Sequence, residues 1–307
     1  MIRPLAERDA AATVAVLRES SVDWTGSAAN LLHRLGSHPP RARQAAWVAE
    51  EDGQVVGAVR ARLRWEVSER VVGWIWVGVR PRRRGRGVGS ALYAAGERHL
   101  LEAGVEAVES FTAEESGERF LAARGFRQVG LEHVSRLDLV GADLSALPAL
   151  AEVKAAEGFA VVPLARAFDR PRDLHAVYAT TLADVPQAHT VDDLRYEEWE
   201  RESLGDPDLS LEASAVVLHE GRPVALTFVI ADGEGGAAND MTGTLPEFRG
   251  RGLARLAKLA SARWAREQGI EWILTENDDG NPGMRALNAS LGYRPAGTQT
   301  LWLRELR

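Results

Sequence analysis

Two kinds of periodicity alternate along the chain, and the alternation runs through twice. Residues 45–49, 55–63 and 71–79 are rich in Val, Ala, Ile and Trp, with Glu51-Asp52-Gly53 as a hairpin turn between the first two. Residues 71–79 form one unbroken apolar run, the pattern of a central strand. Residues 90–102 then change to helical spacing, with Leu92, Ala95, His99 and Leu100, and Gly104 ends that helix. Strands at 105–111 and 131–139 bracket a short helix at 118–123, which Gly125-Phe126 closes. Ahead of all this lie a short strand at 2–5, a helix through Leu17 that Asp9 can cap, and an irregular helix within 20–44, broken at Pro39-Pro40.

The same order then returns. A strand at 159–164 precedes helices at 173–182 and 191–202 and strands at 214–219, 224–231 and 237–244. A helix over 253–268 carries Leu256, Leu259, Ala260 and Trp264 on one face. A strand at 270–275, a helix at 283–290 and a strand at 298–303 complete the copy. Residues 141–157 read as a connecting helix begun by Asp143 or Ser145. An internal repeat in a chain of 307 residues predicts two domains of α/β type, residues 1–142 and 159–307, joined by a linker at 143–158.

Each half places the same turn between a strand and the following helix. The first runs Val79-Arg80-Pro81-Arg82-Arg83-Arg84-Gly85-Arg86-Gly87-Val88-Gly89, the second Thr244-Leu245-Pro246-Glu247-Phe248-Arg249-Gly250-Arg251-Gly252-Leu253-Ala254. Glycines at these positions allow left-handed backbone angles and close approach of a ligand. Successive N–H groups and the helix start favour an anion, and the arginines add forked donors for phosphate oxygens. A plain helix-start turn with a solvated basic surface is the competing reading. A dinucleotide fingerprint needs GxGxxG after the first strand of its unit, whereas the spacing here is GxGxG after several strands. An RNA-binding Arg-Gly tract would lie in a polar disordered segment, not between a hydrophobic strand and an amphipathic helix.

Composition narrows the ligand. Hydrophobic residues make up 45% and charged residues 26%, a globular balance, and the net charge is −7. A local basic turn on an acidic body suits a small anion better than nucleic acid. The chain has no cysteine, and its seven histidines form no HxH or HExxH pair, so neither a thiol nucleophile nor a metal site is expected. No apolar run reaches the roughly 18 residues of a membrane span, and the start of the chain lacks a signal-peptide pattern, so no membrane association and a cytoplasmic location are expected. Oligomeric state is left open.

The two turns resemble the GNAT superfamily of acyl-CoA-dependent N-acetyltransferases, whose pyrophosphate motif is Arg/Gln-x-x-Gly-x-Gly/Ala. Arg84-x-x-Gly87-x-Gly89 and Arg249-x-x-Gly252-x-Ala254 both match it. Asn281 through Gly292-Tyr293 fits a late signature of the same family, of which Gly125-Phe126 keeps only the end. The tandem arrangement is similar to that of mycothiol synthase-like bacterial acetyltransferases. The resemblance implies two tandem GNAT-like domains, each a mixed, mostly antiparallel sheet flanked by helices and splayed between its fourth and fifth strands. It also implies acetyl-CoA as co-substrate, held by Val79, Arg84, Gly85, Arg86, Gly87, Val88 and Gly89 in one half. In the other half the counterparts are Thr244, Arg249, Gly250, Arg251, Gly252, Leu253, Ala254 and Asn281.

The halves differ in what surrounds the turn. Alternation along the preceding strand offers Gly73, Ile75 and Val77 on one face in the first half, and Ala238, Asp240 and Thr242 in the second. Asp240 is the expected general base, with Asn277 as a second amide near the splay. A strand-edge or capping role is the plainer reading of these residues. The family's usual thiolate-protonating Tyr is replaced by Leu121 and Asn288, so water, Asn288, another residue or no specific group protonates the thiolate. Asp184, His189, Tyr196 and Trp199 are expected to line an acceptor site suited to a cationic amine. The expected function is acetyl transfer to a small amine by the second half. A non-catalytic acyl-CoA-binding scaffold or a peptide N-acetyltransferase are the alternatives.

Overall fold

The computed structural model describes residues 1–21, 24–185 and 189–306. The first half runs β1 (Ile2–Pro4), α1 (Ala10–Ser20), α2 (Ala28–Gly36), β2 (Ala45–Glu51), β3 (Gln54–Leu63) and β4 (Val72–Val79). It continues with α3 (Val88–Glu102), β5 (Ala107–Thr112), α4 (Glu115–Ala122) and β6 (Arg127–Asp138). After α5 (Ala146–Ala156) come β7 (Phe159–Pro163), α6 (Pro171–Leu182), α7 (Tyr196–Trp199), β8 (Ala215–His219) and β9 (Arg222–Ala231). The chain ends with β10 (Gly236–Thr244), α8 (Leu253–Glu267), β11 (Trp272–Asp278), α9 (Pro282–Ser290) and β12 (Arg294–Glu305).

Three local expectations change. The helix expected over 191–202 shrinks to the single turn of α7 followed by a π turn, Glu200–Leu204. Asp9 does not cap α1 with its side chain; the carboxylate accepts the Ala6 N–H at 2.8 Å and pairs with Arg3 at 2.6 Å. Neither Asp143 nor Ser145 caps α5, since Asp143 instead accepts the Ser145 N–H at 3.0 Å. The cap that sequence reading missed is Ser27, whose side chain accepts the Asn30 N–H at the start of α2.

The compact units cut the chain differently from the expected halves of 1–142 and 159–307. The first unit comprises 1–132, a segment ending at 202 and the terminal residues from 297; the second comprises 133–186 and 203–296. In the first unit the sheet order is β1-β2-β3-β4-β5-β12. β12 pairs antiparallel with β5 from Thr300 opposite Thr112 to Glu305 opposite Ala107. In the second unit the order is β6-β11-β10-β9-β8-β7, and the N–H of Leu139, just past β6, donates to Glu271 O at 2.7 Å. Each unit thus takes its last strand from the other half of the sequence. A strand's own pattern is the same whichever partner it pairs with, so chain order alone could not reveal the exchange. Each sheet is mixed and largely antiparallel, with helices on its faces, as expected.

In the first unit, α3 packs Leu92 and Leu100 against Val59 and Ile75 on one face. On the other face α1 and α2 bury Val16, Leu17 and Leu31 against Val48, Ala58 and Trp76. In the second unit α8 and α5 cover one face, with Leu256, Leu259 and Ala260 against Ala225 and Val229. Under α8 lies a buried polar chain. Lys258 Nζ donates to Asn239 Oδ1 at 2.7 Å, and the Tyr293 hydroxyl donates to the same oxygen at 2.8 Å. The Asn239 amide donates to Thr227 Oγ1 at 3.3 Å, and Thr227 and Thr242 share a hydrogen bond of 2.8 Å.

Burial pushes the Lys258 ammonium down to about 7, and only 3% of the residue is exposed. In the unfolded chain it keeps the ordinary value of 10.5, so between these values the unfolded state holds a proton that the folded state has released. Stability therefore rises with pH through that window, and below it the full cost of a buried ammonium is present. Lys258→Met leaves Tyr293 as the donor to Asn239. We expect it to be more stable than the wild type by roughly 1–3 kcal/mol at pH 7 in urea denaturation, with the difference shrinking toward pH 10. A difference independent of pH would show that Lys258 is not buried as an ammonium.

Candidate functional site

The two Arg-Gly turns adopt the same backbone. Each opens with a short 3₁₀ turn, Pro81–Arg83 and Pro246–Phe248. Gly85 and Gly87 have φ of 74° and 85°, and Gly250 and Gly252 have 74° and 76°, all left-handed. A Cβ added at Gly85, Gly87 or Gly250 would meet nothing within 4 Å, so the backbone angle, not packing, demands glycine there. Gly87 and Gly252 are also the N-caps of α3 and α8 and bring no side chain to the first-turn N–H groups. Those donors lack a side-chain cap, an arrangement that favours an anion. Gly89 and Ala254 already lie inside their helices, which explains why Ala serves in the second copy.

An arginine ties each turn to the strand before it. Arg84 Nε donates to Val79 O at 2.9 Å, and Arg249 Nε donates to Thr244 O at 3.1 Å. Beside each turn two parallel strands part. β4 and β5 pair only from Val72–Trp74 to Ala107–Glu109, and β10 and β11 only from Gly236–Ala238 to Trp272–Leu274. Beyond those residues each unit holds a cavity. The first, about 270 Å³, is bordered by Val79, Arg84, Gly87, Gly89 and Glu114. The second, about 380 Å³, is bordered by Thr244, Arg249, Gly252, Ala254, Asn281 and Asp184.

Each cavity has an acid on the turn's arginine, less exposed in the first than in the second. In the first, the Glu114 carboxylate forms an ion pair with Arg84, with Nη2 to Oε1 at 3.1 Å, and accepts the Ser116 hydroxyl at 3.0 Å. A negative group therefore already sits on the turn's arginine. In the second, Arg249 pairs with Asp184 at the exposed rim. Asn281 stands where the first half has Glu114; it caps α9, accepting the Met284 N–H at 3.2 Å. Arg86, Arg251, Gly85 and Gly250 are exposed along the turns, and Val88 and Leu253 open the two helices.

The expected face of β10 is broken by a β-bulge. Asn239 pairs with Val229 and Met241 with Phe228, so Asp240 is the extra residue. The bulge moves Thr242 to the face of Asn239 and away from that of Ala238, a correction to the simple alternation. Asp240 is exposed and accepts the Tyr178 hydroxyl at 3.3 Å. Sequence reading missed Tyr178, although Leu174, Tyr178 and Thr181 at helical spacing on α6 mark its sheet-facing stripe. Asn277 and Asn288 meet, with Asn288 Nδ2 donating to Asn277 Oδ1 at 2.6 Å. Neither these two nor Asp240 borders the second cavity, whose β10 wall is Thr242 to Thr244.

Of the four residues expected to line an acceptor site, only Asp184 borders that cavity. His189, Tyr196 and Trp199 belong to the first unit. Polar contacts hold that segment there: Arg41 Nε donates to Glu198 Oε1 at 3.0 Å, and the N–H of Asp192 donates to Glu66 O at 3.1 Å. His189 is buried with its Nδ1 3.0 Å from Glu69 Oε1. Tyr196 donates to Glu200, and Trp199 is fully buried.

The chain matches the model of the acetyltransferase (GNAT) family over residues 15–126 and 174–293, once in each half. It is 29% identical over 277 residues to the mycothiol acetyltransferase of Nocardiopsis dassonvillei, a match covering 83% of this chain and 80% of that protein. A GCN5-related N-acetyltransferase from Sphaerobacter thermophilus superposes with a TM-score of 0.71 at 18% identity, over 100% of this chain and 96% of that one. A tandem GNAT protein from the clavulanic acid biosynthesis pathway gives 0.70 at 22% identity, over 99% and 98%. The two superpositions speak to fold: GNAT domains in tandem.

The turn geometry separates three glycines by experiment. Gly87→Ala and Gly252→Ala force a side chain into the left-handed region and should each cost about 1–2 kcal/mol in chemical denaturation. Gly89→Ala should be neutral or stabilising by up to about 1 kcal/mol, since its Cβ would rest 3.5 Å from Phe120 inside a helix. Equal effects at all three positions would contradict the observed backbone.

Proposed function

The chain belongs to the acetyltransferase (GNAT) family, and from that premise we propose that it transfers the acetyl group of acetyl-CoA to the amine of a small molecule, with the second unit supplying the chemistry. The observation that carries this reading is the second turn. Its uncapped helix start and Arg249 border a cavity of about 380 Å³ where β10 and β11 part. Left-handed glycines, free first-turn donors and open space beside them fit a pyrophosphate. In this reading Thr244 and residues 249–254, with Asn281, hold the coenzyme. Val79 and residues 84–89 form a second, weaker copy, because Glu114 pairs with Arg84 in a less exposed place than Asp184 does with Arg249.

The acceptor nitrogen attacks the thioester carbonyl carbon and loses one proton; the tetrahedral oxyanion then expels the thiolate, which takes up a proton. Asp240 is the proposed base. An arm laid along β10 from Thr244 travels about 13 Å to reach it, and the Tyr178 hydroxyl holds the carboxylate in place. Asn277, fixed by Asn288, is the proposed polar contact on the parted stretch of β11. The second reading, acyl-CoA binding without turnover, draws support from Leu121 and Asn288, which offer no phenolic proton to the thiolate.

Thiol release over a panel of amines tests the first reading. Asp240→Ala should lower kcat by about 10²–10⁴-fold with little change in KM for acetyl-CoA; unchanged turnover removes Asp240 from the mechanism. CoA titration tests the division between turns. The wild type should bind one equivalent tightly, and Glu114→Gln should raise that to two. A stoichiometry unaltered by Glu114→Gln would sink the role assigned to that carboxylate.

A further inference from the structure

The first unit contains a buried cation that its described residues leave without a counter-charge. Arg60 lies on β3 opposite Trp76, and Arg62 lies opposite Trp74, on the sheet face that α1 and α2 cover. Arg60 is only 6% exposed, and its Nε is buried without a hydrogen-bond partner. Among the described residues no carboxylate pairs with it. Its charged neighbours are the cations Arg34 and Arg62, which together with burial push its pKa down to about 9. The indoles of Trp24 and Trp74 flank the guanidinium at 5.7 and 5.6 Å. Arg62 stands over Trp65 at 4.7 Å and over Trp74 at 5.3 Å.

One turn further along the same stretch, Arg64 provides the contrast. It is similarly deep, yet Glu66 and Glu109 hold it at 2.6 and 2.5 Å. Where this unit needs a buried arginine for structure, it supplies acids. Burying a guanidinium without an acid is strongly unfavourable unless something else brings the counter-charge. Arg34, Arg62, Trp24 and Trp74 around the buried Arg60 are each half-buried, so the cluster reaches the surface. A guanidinium presents forked donors matched to carboxylate and phosphate oxygens, and indole faces receive a flat or apolar flank.

We infer that this cluster binds a small oxyanion, a carboxylate or phosphate joined to a flat or apolar group, with Arg60 as the residue that receives the charge. None of these residues borders the cavity beside the first Arg-Gly turn, so the site is separate from the one proposed for the coenzyme. It holds whether or not Asp240 is a base.

The test titrates the full chain with benzoate, phenyl phosphate and the neutral isostere benzamide, reading thermal stability and tryptophan fluorescence. CoA is kept at saturation so that anions bound at the turns do not contribute. At least one of the two anions should raise Tm and change the fluorescence, and benzamide should do neither; the tighter of the two tells carboxylate from phosphate. Arg60→Met should melt higher than the wild type without ligand and lose both responses. Arg60→Lys, which keeps the charge but not the fork, should bind at least tenfold more weakly. No response of the wild type to either anion overturns the inference, as does an Arg60→Met protein that melts lower or a response that survives in both variants.

Discussion

Both units depend on a parallel strand pair that stops early. β4 with β5, and β10 with β11, share three residues of register and then separate. Backbone N–H and C=O groups past that point cannot stay unpaired in a dry interior, so the parting creates a wedge that must be filled by side chains, water or a ligand. The Arg-Gly turn sits at the end of the wedge. Arg84 and Arg249 each satisfy a carbonyl at the strand's end, and the left-handed glycines swing the chain into the next helix with its first N–H groups exposed. The left-handed turn with its exposed helix start is the consequence of ending a parallel pair in this way, which is why it appears twice with nearly the same angles.

With the backbone duplicated, the difference between the copies lies in a few charges. Each turn's arginine meets a carboxylate: Glu114 holds Arg84 half-buried, Asp184 holds Arg249 at a more exposed rim, and Asn281 stands at Glu114's matching place and spends its oxygen on a helix cap. A carboxylate beside such a turn opposes a further anion both by repulsion and by engaging the guanidinium. A neutral amide does neither. The first copy looked the richer anion site by its count of arginines and glycines, but that count ignores the partner already in place. Charge balance in three dimensions, not the number of basic residues, ranks the two turns.

The turns were legible in the sequence because what they need is local. Left-handed angles leave glycine as the residue of choice, and the helix start follows within two residues. The alternation of strands and helices was legible for the same reason. Three features were not. The exchange of last strands depends on which edge a strand meets, and β6 and β12 carry similar patterns. The bulge at Asp240 inserts one residue and so reverses every face assignment after it, leaving Thr242 beside Asn239 and Thr227. The segment with His189, Tyr196 and Trp199 follows α6 in the chain but is held in the first unit by Arg41 and Glu66, partners more than a hundred residues away in sequence.

The bulge also links fold to chemistry. Without it Asp240 would continue the alternation of β10 as one more side chain locked between strand neighbours. As the extra residue it leaves the ladder, stays exposed and turns toward Tyr178 on α6, while Asn239 behind it takes the hydrogen bonds of Lys258 and Tyr293. Adjacent residues thus face opposite surroundings: one an exposed carboxylate that accepts the Tyr178 hydroxyl, the other an amide fixed in a buried polar chain. Bulges re-aim side chains at the cost of ladder bonds, and here the chain beneath α8 anchors the strand where those bonds are disrupted. The base role proposed for Asp240 depends on that anchor, because a carboxylate on an unpinned strand could not keep a fixed distance from the thioester of a coenzyme proposed to lie at the turn.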